Sequence, residues 1–358
     1  MTSQTVPNTH APQATSHLPS NPNLNDPRTS NYALWGGVLF SLVFTAIIYV
    51  AGQRLQAIPH LPDSGASWYY WRLVEPSLAA RITAWGGYIL HQVALWGLIY
   101  YAQTRVGKYT QGLHKVNIAA LSVNVLFILL HFVQTHVWYG ALAEDVSIFA
   151  SQGSVILLLV WVLLMENKRR GLFFGKRMPI GASLIDAAKR YHGYVFSWAI
   201  VFTFWYHPME TTLSHLIGFF YMFLLMLQSS LFFTRIHVNK WWMLVQEITV
   251  GVHGAIVAYF QAGASGFWPM FAFGFAGIFV ITQMHGLNLS RWVRALIFAV
   301  YIGSIAFIYS GRGFGKLDEV ARIPLIEYLC VLVLALLIGG VVWVSRQVRA
   351  RRSALSAT

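Results

Sequence analysis

Histidine is the residue type in this sequence whose number and positions could do chemistry. The chain has 358 residues and 13 histidines, ten of which fall within or at the ends of long apolar segments. An ionisable side chain at membrane depth is costly, so it usually faces the bundle interior and has a partner there. Imidazole binds iron, copper, zinc and haem iron. The candidates for such a site are His91, His114, His131, His136, His192, His207, His215, His237, His253 and His285.

The elements that must position these histidines are transmembrane helices. Hydrophobic residues make up 56% of the chain and charged residues 10%, which is too little charge for the surface of a soluble protein of this length. The 25 Lys and Arg exceed the 12 Asp and Glu, but these cations lie in short loops between apolar segments. They are explained by topology and by anionic lipid head groups. We therefore expect the lipid bilayer as a partner, and no nucleic acid.

The apolar segments predict an all-α fold, a polytopic membrane bundle of about ten transmembrane helices. Most segments have about the 20 residues needed to cross a hydrocarbon core. We expect a disordered cytoplasmic tail over residues 1–31, a single transmembrane domain over 32–346 and a basic cytoplasmic tail over 347–358. The predicted helices are 33–52, 82–104, 116–138, 150–166, 190–206, 213–234, 243–262, 268–285, 292–310 and 325–345.

Loop charges predict the orientation of the bundle. Four loops are basic, namely 105–115, 166–190, 235–242 and 286–294. The loops between them contain no Lys or Arg, and these are 139–149, 207–212 and 263–267. Basic loops remain on the cytoplasmic side, so this alternation predicts that both termini are inside, in a bacterial inner membrane.

A weak internal repeat is a further possibility. The third predicted helix follows His114 and carries His131, and the seventh follows His237 and carries His253. The separations within these pairs are 17 and 16 residues. Two parallel repeats of four helices, from the second to the fifth and from the sixth to the ninth, would produce this pattern.

The histidines fall into two layers when helix rise is counted at about 1.5 Å per residue. Two layers held by the same helices suit two b-type haems, one in each leaflet. We expect the outer haem to draw on His91, His131 and His253. We expect the inner haem to draw on His114, His192, His237 or His285.

This two-layer arrangement resembles the di-haem bundles of cytochrome b proteins and ferric reductases. The likeness is one of architecture, and it includes His192 and His207, which have 14 residues between them on one helix. The resemblance implies axial ligation by histidine, which fixes the iron and its potential. It also implies electron transfer across the membrane or a membrane oxidoreductase, with a quinol or another redox subunit as partner.

Two other functions remain open. The cluster His131, His136, His207, His215 and Glu210 could hold non-haem iron or another transition metal, as in a hydroxylase or desaturase that acts on lipid. A transporter is the third possibility, with only Glu247 and Glu327 as acidic residues within predicted helices. The sequence identifies no catalytic residue and no substrate.

Overall fold

The computed structural model describes residues 24–65 and 68–355, and these residues form helices and connecting loops. The described α-helices are α1 Pro27–Ala51, α2 Leu78–Arg105, α3 Lys115–Val137, α4 Ile148–Arg170, α5 Ala182–Tyr206, α6 Leu213–Ser230, α7 Lys240–Ala262, α8 Trp268–Ile281, α9 Arg291–Arg312 and α10 Asp318–Leu355. No strand occurs within the described ranges. The all-α prediction is therefore confirmed for them.

The helices are those of a multi-pass membrane protein. Eight helical segments are long and apolar enough to cross a membrane. The two remaining helices, α2 and α5, have enough length, with 28 and 25 residues, but they do not contain an equally apolar stretch. The exact number of spans and the orientation of the termini stay predictions.

Helix ends differ from the predicted ones where a local signal outweighs hydropathy. Helix α1 begins at Pro27, within the predicted tail, because the Asp26 side chain accepts the Arg28 N–H and proline suits the first turn. Helix α2 begins at Leu78, where the Ser77 hydroxyl accepts the Ala80 N–H. At the other end, α10 continues to Leu355 through much of the predicted basic tail. The rest of the predicted N-terminal tail, 1–23, lies outside the described residues.

Helix α5 lies at the centre of the packing. It contacts α2, α4, α6 and α10. Its consecutive residues Phe204, Trp205 and Tyr206 are almost completely buried, and Phe204 packs edge-on against Phe219 and Phe223 of α6. Because so many helices contact α5, side chains from different helices converge along it.

The outer helices present apolar side chains to the surroundings. On α9, Phe307 is 78% exposed and only Ile305 and Tyr309 are buried. Lipid tails are as apolar as these side chains, so burial inside the protein is not required. The packing does not reproduce the predicted repeat throughout, since α2 packs on α5 whereas α6 and α9 have no comparable contact.

Candidate functional site along helix α5

Histidines from neighbouring elements meet at two places along α5. His192, near the middle of the helix, lies beside His237, and we call these two residues the 192–237 pair. The C-terminal end of α5 holds a larger group, which we call the tyrosine cluster: His60, Tyr69, Tyr139, Glu144, Tyr206, His207, Glu210 and His215. Its members come from three interhelical loops, the end of α5 and the start of α6.

The 192–237 pair has two imidazole rings whose centres are 6.1 Å apart. His192 lies on α5, and His237 lies in the loop between α6 and α7. The Nδ1 atoms face main-chain carbonyl oxygens, that of Lys189 at 2.5 Å and that of Gln228 at 2.9 Å. A carbonyl only accepts hydrogen bonds, so Nδ1 carries the proton and Nε2 keeps its lone pair in each neutral ring. This is the tautomer that metal-ligating histidines commonly use.

The rings of the 192–237 pair are held in place but not enclosed. The Gln228 side-chain amide also donates to the His237 carbonyl at 2.9 Å, so Gln228 fixes His237 by two bonds. The His192 ring packs edge-on against Phe196, with 5.4 Å between centres. Both histidines are only partly buried. A ligand could therefore reach them from the edge of the bundle.

At the C-terminal end of α5, His207 and His215 have the same ring separation as the 192–237 pair but different surroundings. Their ring centres are also 6.1 Å apart, and Nδ1 of His207 donates to the Thr203 carbonyl at 3.0 Å. Tyr69 packs edge-on against both rings, at 5.1 and 5.7 Å. The nitrogens of His215 contact the hydroxyls of Tyr69 and Thr212. Protein groups thus use both nitrogens of His215.

A directed chain of hydrogen bonds runs through the tyrosine cluster. The Tyr139 hydroxyl donates to Glu210 Oε1 at 2.6 Å and lies 2.8 Å from His60 Nε2. Because the hydroxyl proton is given to Glu210, His60 Nε2 must be the donor to the Tyr139 oxygen. The order of donation is therefore His60 to Tyr139 to Glu210.

Burial sets the protonation of these loop residues. It lowers the pKa of His60 and raises the pKa of Glu210, against the hydrogen bonds from Tyr139 and the Thr211 N–H. Burial, followed by the neighbouring Glu210 carboxyl, raises the pKa of Tyr139. The pKa of Glu144 is also raised by burial, although Arg72 lies 3.9 Å from its carboxyl. The cluster therefore favours the uncharged forms of all four groups.

His91, an expected ligand of the outer haem, has both ring nitrogens in use. Its Nε2 donates to Asn124 Oδ1 at 2.9 Å, and its Nδ1 accepts the Trp205 indole N–H at 3.3 Å. The amide of Asn124 donates to Ser230 Oγ at 2.8 Å, which fixes the orientation of its oxygen. The ring is stacked on Phe127, with 4.4 Å between centres. In this position His91 joins three helices and has no lone pair free for iron.

His131 has an oxygen acceptor near each ring nitrogen, and a neutral imidazole can donate to only one of them. It lies 2.9 Å from the His207 carbonyl and 3.1 Å from Gln134 Oε1. The Gln134 amide donates to the Tyr139 carbonyl at 2.7 Å, so the orientation of Gln134 is fixed as well. His131 therefore connects α3 to the backbone beside His207.

Among the three candidate ligands of the outer haem, His253 has a ring nitrogen without a hydrogen-bond partner in the described residues. Its Nδ1 is buried and has no hydrogen-bond partner within the described part of the chain. A Cβ on Gly218 of α6 would lie 3.2 Å from its Cε1, so the glycine makes space for the ring. His253 interacts electrostatically with His207 and His215. It is thus next to the tyrosine cluster, on α7.

Three further candidates lie in separate surroundings. His114 caps α3 and bonds to the Thr110 hydroxyl at 3.1 Å. His136 Nδ1 bonds to the Phe132 carbonyl at 2.8 Å, and His285 Nδ1 accepts from Arg294 at 3.1 Å. In residues 24–65 and 68–355 none of the three makes a ring contact with another histidine.

The expected non-haem metal site is not assembled. No three His, Cys, Asp or Glu side chains converge as metal ligands among the described residues. A separation of five residues turns His131 and His136 to different faces of α3, and the carboxyl of Glu210 is bonded to Tyr139. The set His131, His136, His207, His215 and Glu210 therefore does not form a common ligand sphere.

The sequence analysis named His207, Glu210 and His215 as candidates but missed His60, Tyr69, Tyr139 and Glu144, which come from the two other loops of the tyrosine cluster. Tyr69 belongs to the aromatic run Trp68-Tyr-Tyr-Trp71, an unusual sequence for a loop and the one signal that could have identified it. Tyr139 has a positive φ of 56° and precedes Gly140 at 76°, a tight turn that aims its side chain at Glu210. Nothing in the sequence pairs these loops with each other.

Space inside the bundle is limited. One cavity of about 10 Å³ lies between α4, α5 and α6 and is lined by apolar residues with Thr203. Pockets for small ligands usually have about 300–1,000 Å³. A macrocycle therefore does not fit this cavity, and the edge of the 192–237 pair is the more accessible position.

Comparisons with known proteins leave the function to this geometry. No known protein family, curated protein or solved structure matches the chain. The positions of the described side chains therefore have to support any functional proposal.

Proposed function

We propose that this chain is a b-type haem protein of the membrane that acts in electron transfer or as an oxidoreductase, with His192 and His237 as the axial ligands of one haem. The supporting observation is the 6.1 Å between their ring centres. Metal–nitrogen bonds of about 2.0–2.1 Å on both sides of one ion would separate two imidazole centres by about 6 Å. The Nδ1 bonds to backbone carbonyls leave both Nε2 atoms available as ligands.

Pairs of histidines favour haem over another metal. A porphyrin supplies four ligands to its iron, so the protein needs to add only one or two. A catalytic non-haem site usually takes three protein ligands, such as two histidines and a carboxylate. Two-histidine contacts occur at two places along α5, whereas no triad is found in the described ranges.

The roles of the chain's own residues follow from their contacts. When bound, haem supplies one-electron chemistry. His192 and His237 would hold the iron, and Lys189 and Gln228 would fix the ring tautomer through their carbonyls. The fit is better at this pair than at the tyrosine cluster. There, a second haem on His207, with His215 or His253, would require Tyr69 to leave its contacts with both rings.

The first test is an absorption spectrum of the purified protein, oxidised and then reduced with dithionite, from cells supplied with haem. We expect a Soret band and sharp α-bands that are lost in His192→Ala and in His237→Ala. His114→Ala and His285→Ala are the matched controls and should keep the bands. One haem per chain would assign the 192–237 pair alone, and two would add the tyrosine cluster.

A featureless spectrum from folded protein would contradict the proposal. Bands that survive both His192→Ala and His237→Ala would contradict the ligand assignment. Iron, zinc or copper found by elemental analysis without haem would favour the non-haem metalloenzyme instead.

A further inference from the structure

Glu327 is a buried carboxyl without a partner for one of its oxygens. It lies on α10, is 2% exposed, and its Oε2 makes no hydrogen bond. The sequence predicted a helix from 325 and placed Glu327 near its end, but α10 begins at Asp318. Glu327 is therefore nine residues, or about 13 Å, inside the helix. Its depth makes it a much stronger functional candidate than the sequence indicated.

Glu327 faces a small cavity that contains other polar side chains. The cavity has a volume of about 10 Å³, and its polar lining consists of Glu247, Gln283 and Glu327. Apolar side chains of α4 and α8 form the rest of the wall. This is about the space that one water molecule needs, and three polar groups are enough to bind it.

The other acid at this cavity already has a counter-ion. Both oxygens of Glu247 accept from the Arg170 guanidinium, at 2.5 and 2.6 Å. Arg170 also lies 3.5 Å from Glu166, so this one cation serves two carboxylates. The pair is therefore self-contained and supplies no free positive charge to Glu327.

The other helices packed on α10 provide no further buried cation among the described residues. Helix α8 contains no ionisable residue, and the lysines and arginines of α4 and α5 other than Arg170 are exposed. The neighbouring Tyr328 on α10 directs its hydroxyl to Thr282 at 2.5 Å. The ionisable groups that bear on Glu327 are thus Glu247 with Arg170, and Tyr328.

We propose that Glu327 is a membrane-embedded proton-binding site, whose carboxyl carries a proton and exchanges it with the adjacent cavity. An ionised carboxylate without a partner in an apolar interior is far more costly than the neutral acid, so the group takes up a proton. A metal cation is a poorer fit, because hard cations take about six oxygen ligands and one of the two carboxylates here is already bound to Arg170.

The test is labelling with dicyclohexylcarbodiimide, which reacts with protonated carboxyls in apolar surroundings, followed by mass spectrometry of the peptides. We expect Glu327 to be labelled in the full-length protein at neutral pH, and the rate to fall as pH is raised. Glu247 is the internal control and should stay unlabelled, because both of its oxygens are bound by Arg170. Glu327→Gln should remove the label.

Infrared spectroscopy tests the same proposal without requiring the reagent to enter. The difference spectrum between the unmodified protein and Glu327→Gln should contain the C=O stretching band of a protonated carboxyl at neutral pH. The proposal is overturned if neither this band nor the label is found. It is also overturned if Na⁺ or K⁺ protects Glu327 from labelling, since a metal cation would then be the ligand.

Discussion

Glu247 and Glu327 line the same cavity, yet their surroundings are opposite. Glu247 is bound by both arms of the Arg170 guanidinium, whereas Glu327 has a buried oxygen with no partner. A buried charge that has lost its partner is strongly destabilising, while a neutral acid tolerates the same place at lower cost. The difference indicates that Glu247 serves stability and that Glu327 serves proton binding.

The same contrast separates the histidines. His91 is completely buried and both nitrogens are bonded to Asn124 and Trp205. His192 and His237 use Nδ1 for a backbone carbonyl and keep Nε2. Polar groups whose hydrogen bonds are all satisfied by the protein hold the fold together, and those with a remaining bond are where a ligand can act.

The largest effect on stability is expected from neutralising Glu247, the carboxylate that is paired with Arg170. Glu247→Gln leaves the buried Arg170 with only Glu166, at 3.5 Å, as a counter-ion and should lower the free energy of unfolding by about 3–5 kcal/mol. Glu327→Gln replaces a neutral acid by a neutral amide of the same shape and should change it by less than about 1 kcal/mol. Reversible unfolding in mixed detergent micelles measures both.

A double variant sharpens this result. Arg170→Met combined with Glu247→Met removes both charges and should recover most of the lost stability, because apolar residues often replace buried ion pairs without penalty. Equal losses for Glu247→Gln and Glu327→Gln would show that Glu327 is also ionised.

The next largest effect should separate the two kinds of histidine. His91→Ala leaves Asn124 Oδ1 and the Trp205 indole N–H without a hydrogen-bond partner and should lower the unfolding free energy by about 2–3 kcal/mol. His192→Ala, at a partly exposed position, should lower it by less than about 1 kcal/mol. The haem bands should behave in the opposite way, so that they persist in His91→Ala and vanish in His192→Ala.

A smaller loss is expected in the tyrosine cluster. Tyr139→Phe removes the hydroxyl that joins His60 to Glu210 and should lower the unfolding free energy by about 1–2 kcal/mol. Tyr70→Phe is the matched control, because that hydroxyl is not part of the chain of hydrogen bonds. If both variants have the same stability, the chain of hydrogen bonds does not contribute to folding.

The sequence predicted the helices well because hydropathy is a local property. It also proposed His192 and His207 as candidates from the 14 residues between them, and the structure places His192 near the middle of α5 and His207 directly after its end. It could not predict that Asn124 and Trp205 occupy the nitrogens of His91, because these partners come from two other helices. The depth of Glu327 was missed because α10 begins seven residues before the predicted start.

The smallest effect is on the pH dependence of stability, and it tests whether the tyrosine cluster contains a neutral carboxyl group at Glu210. Burial raises the pKa of Glu210 above its ordinary value of 4.5. Between that value and the raised one, the folded state binds more protons than the unfolded state, so stability falls as pH rises. Glu210→Gln should flatten this decline by on the order of 1 kcal/mol, and the exposed Glu75→Gln should not. Stability measured between about pH 4 and pH 8 decides this. If Glu210→Gln leaves the decline unchanged, the Glu210 carboxyl is ionised in the folded protein and the prediction is wrong.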